Sequence, residues 1–525
     1  MSEKLLKEAF VSNLNGTSPT EIIVGLSVPP LCMLCRGLLL ILYHLQHGEL
    51  SYSWKSHLLM DFLLLVVPLV FGCTILSDIL ILVPTSIASL ASILLYKIYR
   101  TRHNNIKVPL QTIIKTFRER NIDSKTIPSV TILRVFINIL TTICILAVDF
   151  PLFPRHYAKT ETYGTGFMDF GVGGFIFVNA LVSPEVRQGH DLLNSRFPIV
   201  TKQLLSIWPL IFLGIGRLIS IKATGYHEHV SEYGVHWNFF FTLAVVRLVA
   251  SLILMFFPVN NSWIIAVSIG IFYQLLLETT KLKIFILSGG DSRDSRVGFL
   301  NANREGIFSL FGYVAIYMAG VQVGLYVLKK RSLVKDWIKV ACFLLLSSLM
   351  LFIFFILLHI FVERASRRLA NLTFCIWILV QCLFFLSFIL LSDLALVFAE
   401  HLVNKGNVPC SWNLSKIPNT SGAKHSSEKK SLKDVPNTSG AKHSSEKKSL
   451  KDVLQVPDLS LIDAVARNQL LFFLQSNVIT GLINMSIDTI NCGTFFSLVV
   501  LLLYMFCNCS IMYWLHIKNI TFKCW

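Results

Sequence analysis

The sequence predicts an all-α polytopic membrane protein with about 13 transmembrane helices, and three observations carry that reading. The 525 residues are 54% hydrophobic, with a mean hydropathy of +0.63. Only 15% are charged, against about 25% in an ordinary soluble domain. Apolar runs of roughly 20 residues recur from Ile22 to Leu515, each long enough to cross a hydrocarbon core of about 30 Å at about 1.5 Å per helical residue. Runs such as Val340 to Phe361 do not alternate apolar and polar positions, so they read as helices rather than strands of a membrane barrel.

In chain order the expected spans are 22–43, 58–76, 79–96, 130–148, 166–182, 203–221, 239–257, 263–280, 306–328, 340–361, 371–398, 467–487 and 494–516. Residues 1–21 lack the short apolar core and small-residue cleavage site of a removable signal peptide, so the first span is expected to act as its own uncleaved signal. Between Lys97 and Lys125 stand Lys97, Arg100, Arg102, Lys107, Lys115, Arg118, Arg120 and Lys125 against Glu119 and Asp123, the pattern of a cytoplasmic loop. Three spans precede it, which places the N-terminus in the lumen and the C-terminal tail in the cytoplasm. The sequon Asn15, Gly16, Thr17 is then a glycosylation candidate. One loop breaks the pattern: Arg364, Arg367 and Arg368 fall on the lumenal side.

This reading divides the chain into a lumenal tail (1–21), a transmembrane bundle of eleven spans (22–400), a disordered cytoplasmic loop (401–462), and two last spans with a cytoplasmic tail (463–525). Residues 418–435 repeat without change at 436–453, in a stretch rich in Ser, Lys, Asn and Pro. That is a recent tandem duplication in the disordered loop, with no chemistry of its own.

The formal charge of +17 does not point to nucleic acid, because the Lys and Arg lie between apolar runs where cytoplasmic loops collect them. Most of the 12 Cys sit inside spans, where a thiol packs as a small hydrophobe. Cys32 and Cys35 form a CxxC without a second ligand pair, so no metal is expected.

Charged groups are costly in a bilayer, and those at span ends are the first functional candidates. Three polar clusters stand out. The first runs from Asp149 to Phe170 and holds Asp149, Arg155, His156, Lys159, Glu161, Tyr163 and Asp169. The second, Tyr226 to Asn238, holds three His, two Glu, two Tyr and Trp237. The third, Asn301 to Glu305, opens the ninth span. They follow spans four, six and eight, so all three are expected on the lumenal face, where they can converge. Each also has a plainer role: snorkelling or pairing for Asp149, capping for Arg304 and Glu305, ordinary loop positions for His227, His229 and His236. The Gly171 to Gly174 run, GVGG, is expected to permit close helix packing. No P-loop or GxSxG motif is present, which argues against an ATP-driven pump or a serine hydrolase.

The stretches FVSNLNGTS from Phe10, AVDFPLFPRHYAKTETYGTGFMDFGVGGF from Ala147, FLGIGRLISIKATGYHEHVSEYGVHWNFFFT from Phe212 and LNANREGIFSLFGYVAIYMAG from Leu300 resemble the glucosaminyl-phosphatidylinositol acyltransferases of the endoplasmic reticulum, in a mammalian-type form. The resemblance runs nearly end to end. The duplicated 18-residue block departs from the family pattern, in the variable loop. The resemblance implies a membrane-bound O-acyltransferase that moves a long acyl chain, typically palmitoyl, from acyl-CoA to the inositol 2-hydroxyl of glucosaminyl-phosphatidylinositol. It implies acyl-CoA as co-substrate, membrane lipids as surroundings, and no further cofactor, metal or nucleic acid.

That reaction requires a base near the hydroxyl and a donor near the developing oxyanion. Asp149 is the leading base, with Lys159 as its partner: holding Asp149, stabilising the oxyanion or binding a CoA phosphate. His236 is the rival base, because an imidazole titrates near neutral pH. Arg155, Arg217, Lys222 and Arg304 are candidate phosphate clamps. Asp169, Asn238, Asn301 and Asn303 are candidates for hydrogen bonds to sugar hydroxyls, and His236 and Trp237 complete the expected substrate-binding set. No cysteine falls within the polar clusters, so direct transfer in a ternary complex is expected. Acyl-CoA is made on the cytosolic side, which calls for a funnel of spans reaching the midplane. The competing classes are a secondary transporter or lipid flippase, for which no internal repeat of spans is visible, and a His-centred acetyltransferase.

Overall fold

The computed structural model describes residues 10, 12, 14–47, 53–103, 109–123, 127–188, 196–224, 230–289, 296–403, 413–414 and 460–522. Every one of the expected spans coincides with a helix: α1 (Pro19–His47), α2 (Trp54–Gly72), α3 (Leu82–His103), α4 (Pro128–Ala147), α5 (Asp169–Leu181), α6 (Arg196–Thr224), α7 (Phe239–Phe256), α8 (Ser262–Thr279), α9 (Arg304–Val327), α10 (Val334–Phe361), α11 (Leu372–Val403), α12 (Gln469–Ser486) and α13 (Thr494–Ile517). Ten of these are long and apolar enough to cross a membrane; α5, α6 and α12 are not in that set. With 13 residues α5 rises only about 20 Å, short of a full hydrocarbon core, because it begins at a charged turn already sunk among the other helices. The expected figure of 13 spans is thus met as helices, ten of which reach the length and hydropathy of a full crossing among the described residues. Among the described residues the only strands are Ile122–Asp123 and Asn413–Leu414, paired antiparallel. The duplicated block lies outside the described residues.

The bundle is built around α11, a helix of 32 residues that packs against α1, α3, α4, α5, α9 and α10. Its Trp377, Ile378, Phe385 and Val397 are fully enclosed, which explains why its apolar character runs all the way round rather than along one stripe. Small residues set the closest approaches. A Cβ on Gly173 of α5 would lie 2.6 Å from Ile378, and one on Gly324 of α9 would lie 2.6 Å from the Leu181 carbonyl. The GVGG run therefore serves packing, as its position inside a helix implies. A buried ion pair ties α1 to α2: Arg36 Nε donates to Asp61 Oδ1 at 2.6 Å and Nη2 to Oδ2 at 3.1 Å. The same carboxylate accepts the Leu461 N–H at 2.9 Å, so its charge is fully compensated where it is out of water.

The loops expected in the lumen gather on one face and knit together. Glu161 N–H donates to the Leu14 carbonyl at 3.0 Å and Gly164 N–H to that of Ala365 at 2.8 Å. Tyr163 Oη donates to Glu363 at 2.9 Å, and Val235 N–H to the Ala302 carbonyl at 3.0 Å. The last contact depends on Gly234, whose φ of +108° turns the chain against Asn303 where any Cβ would collide. All three polar clusters and the α10–α11 turn therefore share one end of the bundle.

Candidate active site

Below that face lies a cavity of about 1230 Å³, walled by α4, α5, α6, α7 and α12. Along α4 its lining runs from Ile137 to Val148, eleven residues or about 16 Å, which carries it toward the middle of a ~30 Å hydrocarbon core. The lining is largely apolar in depth and charged at the rim, where Asp149, Lys159, Glu232 and Arg367 face the space with Asn484; Arg217, Asn238 and Asn477 also line it, the last two deeper, beside Phe239 and one turn from Phe473. Phe212 of α6 and Val478, Leu482 and Met485 of α12 line the cavity and are each more than half exposed, so the wall between α6 and α12 is an open one.

The charged side chains form a chain of alternating sign. Lys159 Nζ lies 2.8 Å from Glu232 Oε2; Glu232 Oε1 lies 3.3 Å from Arg367 Nη1; Arg367 Nε lies 2.8 Å from Asp169 Oδ1. Asp169 is fully buried and also accepts from Thr160 Oγ1 at 2.9 Å and Gly166 N–H at 2.9 Å. Burial pushes the Glu232 carboxyl up, but the Lys159 ammonium and the Arg367 guanidinium outweigh it and hold the carboxyl at about 2. Burial likewise opposes the charge on Arg367, and Glu232 and Asp169 more than restore it. Lys159, Glu232, Arg367 and Asp169 thus alternate basic and acidic side chains along one row, with Lys159 at the cavity wall.

Asp149 stands at the end of α4 and faces the same cavity. Its Oδ2 accepts a hydrogen bond of 2.7 Å from the Asn484 amide of α12. α4 and α12 run parallel: Thr142 Oγ1 donates to Ser476 Oγ at 3.4 Å one turn pair further in, which sets the register that brings Asn484 to Asp149.

Known proteins match the chain over nearly its whole length. The family model described as GWT1 covers residues 3–515. The chain is 51% identical to the glucosaminyl-phosphatidylinositol-acyltransferase PIGW of Bos taurus and 49% identical to that of Homo sapiens, in each case over 100% of both chains. It is 31% identical to the GPI-anchored wall transfer protein 1 of Kluyveromyces lactis, over 86% of this chain and 85% of that one. The chain belongs to the GWT1 family.

In this GWT1 chain the sequence-derived candidates separate into two groups. Asp149, Lys159, Arg217, Trp237 and Asn238 line the cavity. Asn238 does so while capping α7, accepting from Phe240 and Phe241 N–H at 3.0 and 3.2 Å. The other group serves the scaffold. Arg155 donates to the carbonyls of Val148, Phe150 and Phe153 and stacks 4.1 Å from the Phe10 ring, so its donors hold its own turn. Burial lowers its pKa to about 10, with nearby Asp149 opposing. Arg304 is fully buried and binds the Ile286 carbonyl and Asn301. Asn303 accepts the His236 N–H at 2.7 Å, and the His236 side chain is exposed. His236, Lys222, Asn301, Asn303 and Arg304 are not among the residues lining the cavity. Asp169 acts one step behind the wall, through Arg367. The exposed Asn15 side chain leaves its sequon accessible; His227 and His229 lie outside the described residues.

Lys159, for which holding Asp149, stabilising the oxyanion and binding a CoA phosphate were all left open, has Glu232 as an ion-pair partner. Cys144 lies outside the three polar clusters, as expected of every cysteine, yet it lines the cavity; α4 is buried on that side, and the thiol is 3% exposed. Glu232, Arg367 and Asn484 went unselected in the sequence. The available signal was the α10–α11 turn, whose basic residues stood out against its expected lumenal placement. Arg367 sits there against Asp169 and Glu232, and Arg368 Nη2 against buried Glu305 at 2.8 Å, so neither is a free loop charge.

Proposed function

We propose that this protein transfers a long acyl chain, palmitoyl in the first instance, from acyl-CoA to the inositol 2-hydroxyl of glucosaminyl-phosphatidylinositol, in the endoplasmic reticulum membrane with the charged face toward the lumen. The observation that carries the reading is the cavity itself. It joins an apolar depth suited to a hydrocarbon chain to a rim where Asp149 and Lys159 face the same space. The names of the full-length relatives supply the acceptor.

In this reading the Asp149 carboxylate, oriented by Asn484, takes the proton of the inositol hydroxyl as its oxygen attacks the thioester carbonyl. The carbonyl oxygen becomes an oxyanion, and Lys159, positioned by its ion pair with Glu232, stabilises it. Collapse of the intermediate breaks the carbon–sulfur bond, and the leaving thiolate receives the proton from Asp149. The ester and free CoA are the products, and no acyl-enzyme forms. Arg217 is the cation at the cavity wall available to a phosphate of either substrate. The open wall between α6 and α12 admits the lipid tails of the acceptor from the bilayer.

The test is incubation of purified protein with glucosaminyl-phosphatidylinositol and radiolabelled palmitoyl-CoA. Label in the inositol ester of the glycolipid supports the reading, and no transfer by folded protein overturns it.

A further inference from the structure

We infer that a floor of four phenylalanines at the bottom of the cavity fixes the length of acyl chain this protein accepts, an inference that rests on the acyltransferase reading above. The rings come from three helices that meet at one depth. Phe473 of α12 lies 5.7 Å from Phe175 of α5 and 6.1 Å from both Phe239 and Phe240 of α7, centroid to centroid, and Phe175 lies 5.7 Å from Phe239. All four line the cavity. Behind them Ile207, Leu210 and Ala244 pack against Phe240 and Phe473, so the floor is backed by protein.

The depth of that floor follows from helix register. Asn484 and Phe473 are eleven residues apart on α12, which places the rings about 16 Å below the Asp149–Asn484 contact. A Cβ on Gly174 would sit 3.6 Å from Ile137, so α5 brings Phe175 to the same depth on the other wall. Sixteen ångström is about half of a ~30 Å hydrocarbon core, the reach of one long acyl chain in a single leaflet. A donor with its thioester at the rim therefore has its terminal methyl against the rings, and each further methylene meets an aromatic wall. Discrimination by one or two methylenes in such a pocket is about tenfold or more.

Two positions change the depth in opposite directions. Truncating Phe473 deepens the slot. Gly216 lines the cavity two residues from Gly214, whose carbonyl accepts from Asn238 just ahead of Phe239, and a Cβ there would meet no atom within 4 Å. A leucine at 216 can thus fill the slot near its floor without striking the protein.

The experiment offers purified protein an equimolar mixture of myristoyl-, palmitoyl- and stearoyl-CoA with the glycolipid acceptor and reads the product chains by mass spectrometry. Phe473→Ala, with Phe473→Leu as a milder truncation, is expected to raise the stearoyl-to-palmitoyl product ratio about tenfold, and Gly216→Leu to raise the myristoyl-to-palmitoyl ratio by a similar factor. Ratios are internal to whatever fraction is active, so reduced folding does not mimic the result. Unchanged ratios in these variants, or loss of all transfer in variants that melt like wild type, overturn the floor as a ruler while the acyltransferase reading stands. No transfer by wild type overturns that reading itself.

Discussion

The Lys159 ammonium lies 2.8 Å from Glu232, which makes the charge at the cavity wall depend on a carboxylate from a different loop. Glu232→Gln is expected to lower kcat by about 10²-fold, since misplacing a stabilising group by an ångström has that effect. The KM for acyl-CoA is expected to change little, and Glu232→Asp to restore part of kcat. Steady-state kinetics on the three proteins checks it; equal loss in kcat and in folded yield would assign Glu232 to the scaffold.

The same pair predicts a pH dependence of stability. The folded carboxyl of Glu232 is held at about 2, below the ~4.3 of an unfolded glutamate. A depressed carboxyl contributes stability that is fully present above the unfolded value and is lost as pH falls toward the folded one. The difference in melting temperature between wild type and Glu232→Gln is therefore expected to be constant from pH 8 to pH 5 and to shrink below about pH 4.5. A difference that already shrinks between pH 8 and pH 6 would contradict the geometry.

Arg367 carries the longest reach in this network, because it separates two carboxylates that would otherwise face each other out of water. Removing it in Arg367→Ala is expected to destabilise the fold by about 3–5 kcal/mol, the cost of leaving a buried ion pair half-empty. Arg367→Lys keeps the charge but not both contacts and is expected to fall between the two. Thermal unfolding in detergent measures both. Near-wild-type melting of the alanine variant would show that Asp169 and Glu232 are not compensated through this residue.

The Asn484 amide and Asp149 make a second testable contact, 2.7 Å long. Asn484→Asp places two carboxyl groups at that separation, where one of them holds its proton to higher pH. The acid limb of the kcat/KM profile is expected to move to higher pH, whereas Asn484→Ala is expected to lower kcat without moving the limb upward. No movement in the aspartate variant would remove Asp149 as the group that titrates.

Cys144 tests the absence of a covalent intermediate. It lines the cavity, yet it is nearly fully buried and faces the apolar depth. Cys144→Ser is expected to retain transfer, and wild type incubated with labelled acyl-CoA without acceptor is expected to carry no label after denaturation. Label lost in the serine variant would replace direct transfer with an acyl-enzyme.

Helical class, the order of the spans and the convergence of three polar clusters were legible in the sequence, since each depends on local composition. Asp149 and Lys159, which both line the cavity, stood out as candidates because charge at a span end is conspicuous. What stayed hidden depends on register between distant helices. Asn484 looks like any polar residue in a moderately apolar helix until α12 is laid beside α4. Arg155 and Arg304 look like phosphate clamps until their carbonyl partners are seen. Arg367 was visible only as a basic residue in a loop expected in the lumen, and the structure shows it compensated there by Asp169 and Glu232.

The most direct test of the central claim compares wild type with Asp149→Asn and Lys159→Ala for transfer of radiolabelled palmitate from palmitoyl-CoA to glucosaminyl-phosphatidylinositol. The account predicts labelled glycolipid with wild type and a loss of about 10²-fold or more in each variant, the size of effect expected for removing a general base or an oxyanion donor. Transfer at wild-type rate by the folded Asp149→Asn protein would contradict it.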